Sequence, residues 1–203
     1  MKTYPLASIS LIEAQEKQFE VVDIITKYMT GSEFLKLGDL GVVKGLNKPL
    51  KTEVVEKIIA EIFKAEDCIL TRGSGTGALR YGILSSILPN EKILVHKAPI
   101  YPTTELNIKS MNLKVIEYDF NDLSTLNDTL EDKEIKFCLL QHTRQKLDDS
   151  YDLSEVISKI KELRDDVVIL VDDNYATMKV SKIGCELGAE LSAFSTFKLL
   201  GPV

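Results

Sequence analysis

The feature that most constrains this chain is a set of short runs that are continuously apolar instead of alternating. Val167-Val168-Ile169-Leu170-Val171 and Phe137-Cys138-Leu139-Leu140 have no polar residue at every second position. A strand with one face in water alternates, whereas a strand covered by helices on both faces does not. Strands of this kind are expected near 67–71, 92–96, 114–119, 135–141, 167–172 and 191–195. Helical stretches follow the first five, at 76–88, 103–111, 122–130, 152–163 and 181–188. Repeated strand–helix units with right-handed crossovers build a mostly parallel sheet with helices on both faces, so the fold class is α/β.

Ahead of this pattern, Leu11 to Met29 reads as a helix, with Phe19, Val22 and Ile25 at helical spacing. The stretch 32–47, marked by Gly31, Gly38, Gly41 and Gly45, holds no period and reads as an irregular loop. Lys51 to Lys64 reads as a second helix. The expected organisation is an N-terminal helical arm with a Gly-rich loop over 1–50 and a large ligand-binding domain over 51–203. The last strand is followed only by a few residues ending in Gly201-Pro202-Val203, so the chain is expected to be the front part of a longer protein.

Composition removes several function classes. The 203 residues carry 25 Lys+Arg against 31 Asp+Glu, a net charge of −6. Nucleic acid and anionic membranes both demand clustered positive charge, so neither is expected as a partner. No apolar run reaches the ~20 residues of a membrane-spanning helix. No signal-peptide core follows Met1, which points to the cytoplasm. Three cysteines without a CxxC pair, together with two histidines, speak against disulfides and a zinc centre. Cys68 and Cys138 sit in apolar runs and read as small buried strand residues.

In an open parallel sheet, ligands bind beyond the carboxyl ends of the strands, so the residues that follow each strand carry the chemistry. After 67–71 comes Gly73-Ser74-Gly75-Thr76-Gly77-Ala78, opening a helix. Glycines let backbone N–H groups approach an anion, the hydroxyls add donors and the helix start adds partial positive charge: this is a phosphate cradle, or else a plain tight turn. A dinucleotide fingerprint would place an acidic residue at the end of the next strand, where this chain has Val95-His96-Lys97, and no triphosphate loop ending in Gly-Lys-Ser/Thr is present. Strand 167–172 ends in Asp172-Asp173-Asn174-Tyr175. Asp173 reads as a turn or N-cap residue, while Asp172 reads as a buried carboxylate awaiting a protonated ring nitrogen or a metal, the ring being favoured because no second ligand cluster is visible. Near the last strand, Lys198 stands among Phe194, Phe197, Leu199 and Leu200. It is either a snorkelling side chain or an amine whose apolar surroundings make it a nucleophile for a Schiff base. A cradle, a buried Asp and a strand-end Lys in this order are what pyridoxal 5′-phosphate requires.

With those residues in place, the chain resembles the large domain of the fold-type I pyridoxal-phosphate enzymes, the aspartate aminotransferase superfamily. Ser74-Gly75-Thr76-Gly77-Ala78 is similar to their phosphate loop, and Asp172-Asp173-Asn174-Tyr175 to an Asp-x-x-Tyr segment shared with cystathionine-lyase-like members. Ser195-Thr196-Phe197-Lys198-Leu199-Leu200-Gly201-Pro202 resembles the lysine segment of class-V and selenocysteine-synthase-like enzymes. Gly38-Asp39-Leu40-Gly41, Ala98-Pro99-Ile100-Tyr101-Pro102-Thr103-Thr104 and Gln141-His142-Thr143-Arg144 resemble a sparsely characterised bacterial aminotransferase-like group.

The resemblance implies phosphate donors in Ser74, Gly75 and Thr76, joined by Ser195; Tyr101 stacking on the cofactor ring; Gln141, with His142 and Thr143 as alternatives, near the ring hydroxyl; Asp172 on the ring nitrogen; and Lys198 as the Schiff-base lysine. It also implies a homodimer in which loop 38–45 reaches the neighbour's site, and a small C-terminal domain with a carboxylate-binding Arg that is not in this chain. The expected function is an aminotransferase-like enzyme on an amino acid or small amine, with a carbon–sulfur lyase acting by β- or γ-elimination nearly level. Racemisation, a nucleotide- or dinucleotide-binding module and an inactive cofactor-stabilised scaffold are the remaining alternatives.

Overall fold

A computed structural model describes residues 6–35, 38, 39, 41–143 and 146–200, and not the side chains of 34, 35, 199 and 200. Leu40, Arg144 and Gly201-Pro202 of the motifs above lie outside the described residues, as do the side chains of Leu199 and Leu200. The chain divides into two compact units, Ile9–Leu70 and the residues from Thr71 onward.

The first unit is helical. Helix α1 (Leu11–Tyr28) starts at a capping box, in which Glu13 N–H donates to Ser10 Oγ and Ser10 N–H donates to the Glu13 carboxylate. Helix α2 (Leu50–Ile62) has no cap from its own N-cap residue, Pro49; instead Asp39 accepts the N–H groups of Lys51 and Thr52 at 2.8 and 2.9 Å. That explains the acid in the Gly38–Gly41 motif, since a carboxylate at a helix start satisfies orphan donors and meets the dipole. Glu61 joins the two helices by taking bonds from Lys27 and the Tyr28 hydroxyl.

The expected strand at 67–71 does not form. Cys68-Ile69-Leu70 is not assigned to any strand of the sheet, and Ile69 is 76% exposed. Apolar composition favours burial, but a strand also needs a neighbour with its backbone groups in register. Cys68 is accordingly not a buried strand residue, whereas Cys138 is, and burial pushes its thiol up.

The second unit holds a five-stranded parallel sheet in the order β2-β1-β3-β4-β5, formed by β1 (Lys92–His96), β2 (Lys114–Tyr118), β3 (Ile135–Gln141), β4 (Val168–Asp172) and β5 (Leu191–Ala193). Helices α3 (Ser74–Ser86) and α4 (Pro102–Ser110) cover one face, and α5 (Leu126–Leu130) and α6 (Leu153–Leu163) the other. Alternate residues feed the two cores: Phe137, Leu139 and Leu170 face α3, while Cys138, Leu140 and Ile169 face α6. Double coverage is the physical reason the strands read as unbroken apolar runs. The expected helix at 181–188 is a short 3₁₀ turn, Gly184–Leu187. Among the described residues no helix is long and apolar enough to cross a membrane.

A buried polar pair ties β1 to the loop before α6. His96 Nε2 lies 2.9 Å from Asp149 Oδ1, while Phe120 N–H donates to His96 Nδ1. The neutral ring therefore carries its proton on Nε2 and donates it to Asp149. Burial pushes the Asp149 carboxyl up, but the bonds from His96, the Lys146 N–H and Asn121 outweigh it and hold the group below its usual range. A carboxyl lowered in the folded state stabilises above its unfolded value and loses that contribution as pH falls through the folded one. Asp149→Asn is expected to cost about 1–3 kcal/mol at neutral pH and to flatten the acid limb of the stability curve, checked by urea melts across pH.

Candidate active site

The turn into α3 is built by its glycines. Gly73, the N-cap, has φ +96° and Ser74 φ +57°, so the chain enters the helix through two left-handed residues. A Cβ on Gly77 would lie 2.0 Å from the Arg72 carbonyl oxygen, and one on Gly75 would lie 2.3 Å from Asn174 Oδ1. Two of the three glycines are thus needed for close approach of protein to protein. The first N–H groups of α3 have no partner inside the helix and point out of its start. Gly77→Ala is expected to lower stability by about 2–4 kcal/mol, because the obstructing atom is backbone and cannot swing away. Thermal melts of the variant check this.

Hydroxyls gather at the same place. Ser74 Oγ is 2.6 Å from Ser195 Oγ, and Thr76 Oγ1 is 3.1 Å from Thr103 Oγ1. Ser195 is buried behind Ser74, while Ser74 and Thr76 line a cavity of ≈ 250 Å³.

Across the cavity, Gln141 and Asp172 are register partners on β3 and β4 and lie on the α3 side of the sheet. Desolvation pushes the Asp172 carboxyl up, and two bonds from Asn174, both to Oδ1, only partly offset it. Tyr101, at the start of α4, and Thr143, beyond β3, complete this side of the cavity.

Lys198 comes from the 3₁₀ turn Thr196–Leu200, where its N–H donates to Ser195 O at 3.0 Å. Its ammonium stands 3.9 Å from the centre of the Tyr175 ring and borders the cavity that also holds Asp172. The expected apolar surround of sequence neighbours is not what holds it: Phe197 is 61% exposed. On a 3₁₀ turn successive side chains diverge by about a third of a revolution, so neighbours in sequence face different ways. Tyr175 itself has φ +68°, a conformation rare for a bulky residue and of a kind that clusters at functional sites.

His142 and Asp173 do not line the cavity. Asp173 is fully buried and meets His142 Nδ1 at 2.7 Å and the Gly184 N–H at 3.1 Å, while its carbonyl accepts the Ala176 N–H, so it opens a turn as expected and is also the buried partner of His142. His96, paired with Asp149, closes β1 where a dinucleotide site would need a carboxylate.

The family model for methionine gamma-lyase matches residues 44–202. The chain belongs to the methionine gamma-lyase family. The fold-type I pyridoxal-phosphate resemblance read from the motifs is thereby borne out. Protein YhfS of Escherichia coli K12 is 49% identical over 202 residues, and its crystal structure, described as that of a pyridoxal-5′-phosphate-dependent protein, superposes with a TM-score of 0.94. This chain is covered completely in that comparison but spans only 55% of YhfS. A carbon–sulfur lyase involved in aluminum resistance from Clostridium novyi shares the fold at 18% identity and TM-score 0.75, covering 91% of this chain and 48% of its own.

For a member of the methionine gamma-lyase family, the residues on the cavity are a fitting donor set for pyridoxal phosphate. Hydroxyls and a helix start would suit a dianion, a desolvated carboxylate would suit a cationic ring atom, and an amine would suit an aldehyde. Eight of the residues singled out from sequence (Ser74, Gly75, Thr76, Tyr101, Gln141, Thr143, Asp172 and Lys198) line this one cavity, and Ser195 backs it. Sequence reading gave no role to Asn174, Tyr175 or Thr103. The Asp-x-x-Tyr spacing was the available signal for the first two, and the Ala98–Thr104 motif for Thr103.

Proposed function

We propose that this chain is the cofactor-binding part of a pyridoxal-phosphate-dependent lyase that cleaves a carbon–sulfur bond in a sulfur-containing amino acid. The observation that carries the cofactor reading is the convergence of the Lys198 amine, the Asp172 carboxylate and the hydroxyls at the α3 start on one cavity. Family membership moves the weight from amino transfer, slightly ahead from sequence, to elimination.

When bound, pyridoxal phosphate supplies an aldehyde that condenses with amines and a protonated ring that accepts the electron pair left by a departing Cα proton. Ser74, Thr76 and the α3 N–H groups would hold the phosphate, with Ser195 orienting Ser74 through their 2.6 Å contact. The Asp172 carboxylate would keep the ring nitrogen protonated, and Tyr101 would cover the ring face. Lys198 Nζ would anchor the aldehyde, give way to the substrate amine and then act as base, taking the Cα proton and handing it on as acid. Tyr175 beneath the ammonium holds that group over the cavity. The same reading makes the protein a cytoplasmic homodimer.

A visible spectrum of the purified protein tests this. Yellow colour is expected, and borohydride is expected to fix the cofactor to the Lys198 peptide. Addition of L-methionine, L-homocysteine or L-cystathionine is expected to consume one water and release a 2-oxo acid and ammonia, together with methanethiol, hydrogen sulfide or a thiol amino acid respectively. A protein that stays colourless with added pyridoxal phosphate, or a label on another lysine, defeats the cofactor reading. Amino transfer to a 2-oxo acid without thiol release defeats the lyase reading.

A further inference from the structure

Asn174 is where four elements around the cavity meet. Its backbone N–H and its Nδ2 both donate to Asp172 Oδ1, at 3.0 and 2.7 Å. Its Oδ1 accepts the Ser195 N–H at 3.1 Å, and its carbonyl accepts the Thr143 hydroxyl at 2.9 Å. These bonds reach the ends of β4 and β3 and the segment that leads from β5 to Lys198. The fourth element, α3, closes on the same amide, since a Cβ on Gly75 would lie 2.3 Å from its Oδ1 and 2.6 Å from its Nδ2. Only 9% of Asn174 is exposed, and in so buried a place an unmade polar bond is costly. The amide has one workable orientation: turned over, it would set oxygen against a carboxylate oxygen and NH₂ against an N–H.

We infer that Asn174 is the positioning residue of this site: its amide holds the Asp172 carboxylate in register with the segment carrying Ser195 and Lys198, and residue 75 is glycine so that α3 can close onto that amide. The chemical consequence rests on the cofactor reading above; the lock itself is a property of the protein alone. No alternative side chain of similar size does both jobs. Aspartate keeps the acceptor for Ser195 but places a second carboxylate against Asp172, and alanine provides neither bond.

Asn174→Asp is therefore the sharp variant. Two carboxylates in hydrogen-bond contact share a proton, so the pair ionises at higher pH than Asp172 does beside an amide. The other charged and titratable groups around Asp172 are Asp173 on its own strand end, Lys198 beyond β5, and Tyr101 and Tyr175 on the cavity wall. In the whole protein, titration with pyridoxal phosphate is expected to show affinity weakened on the order of tenfold to hundredfold in N174A and N174D. The acid limb of the bound cofactor's visible absorbance is expected to move up by about one pH unit or more in N174D. A residue that merely supported the fold would weaken binding without moving that limb, so an N174D profile coinciding with that of the wild type overturns the inference.

A melting cycle without cofactor tests the lock separately. G75A is expected to lower Tm in the wild-type background and to cost little in the N174A background, where the atoms the new Cβ would strike are gone. Equal losses in both backgrounds overturn the inference. Failure of the wild type to bind pyridoxal phosphate would instead remove the proposed function and leave the melting cycle standing.

Discussion

Lys198→Ala is expected to leave a folded protein whose turnover falls by about 10⁴, the upper end of what a positioned proton carrier contributes. Among the described residues Lys198 is the lysine on the cavity, so no neighbour can take over either of its tasks, anchoring the aldehyde and carrying the Cα proton. The stability cost is small by comparison. The ammonium's contact with Tyr175 is worth about 0.5–1 kcal/mol, and the backbone bond to Ser195 O survives the substitution. Turnover, borohydride labelling and a melting curve on the same preparation check all three parts. A K198A protein that is still labelled by borohydride and still turns over would assign the chemistry to a different amine.

Asp172→Asn is expected to keep the colour and to lose turnover by about 10²–10³, the scale on which a single preorganised electrostatic partner acts. The amide retains an oxygen for the two bonds from Asn174, so geometry is preserved while the negative charge is removed. Without that charge nothing holds the ring nitrogen protonated, and the electron sink weakens. The variant carries a second signature in the cofactor-free protein. Desolvation pushes the Asp172 carboxyl above its ordinary value. A carboxyl raised by folding favours the folded state below its unfolded value and opposes it as pH rises through the folded one. Stability of the wild type should thus fall across the carboxylate range from this group, and D172N should lack that fall. Urea melts between acid and neutral pH read the difference, and normal turnover in D172N would mean that another carboxylate serves the ring.

Strand β4 was legible because Ile169, Leu170 and Val171 are buried from both sides, and a doubly covered strand leaves an unbroken apolar run. The ends of β3 and β4 were legible for the same reason: the first polar residue after such a run, Gln141 or Asp172, has to sit at the sheet edge where ligands bind. Cys68-Ile69-Leu70 shows the limit. Its composition matches that of a strand, but whether a partner lies alongside is decided by the rest of the chain.

The site divides in the same way. Residue types in order along the chain, glycine turn, strand-end Asp and late Lys, determined by themselves that an anion, a cationic ring atom and an aldehyde could be served, because those chemistries need those groups. Tertiary structure alone decided which groups share a cavity and which do not. It placed Phe197 in solvent beside a lysine held over Tyr175, and it paired Asp173 with His142 one residue from Asp172. It also brought the Asn174 amide between two strand ends and Gly75. Local periodicity reports how much of a residue is buried, whereas hydrogen bonds between segments far apart in the chain depend on distances that exist only once the sheet has closed.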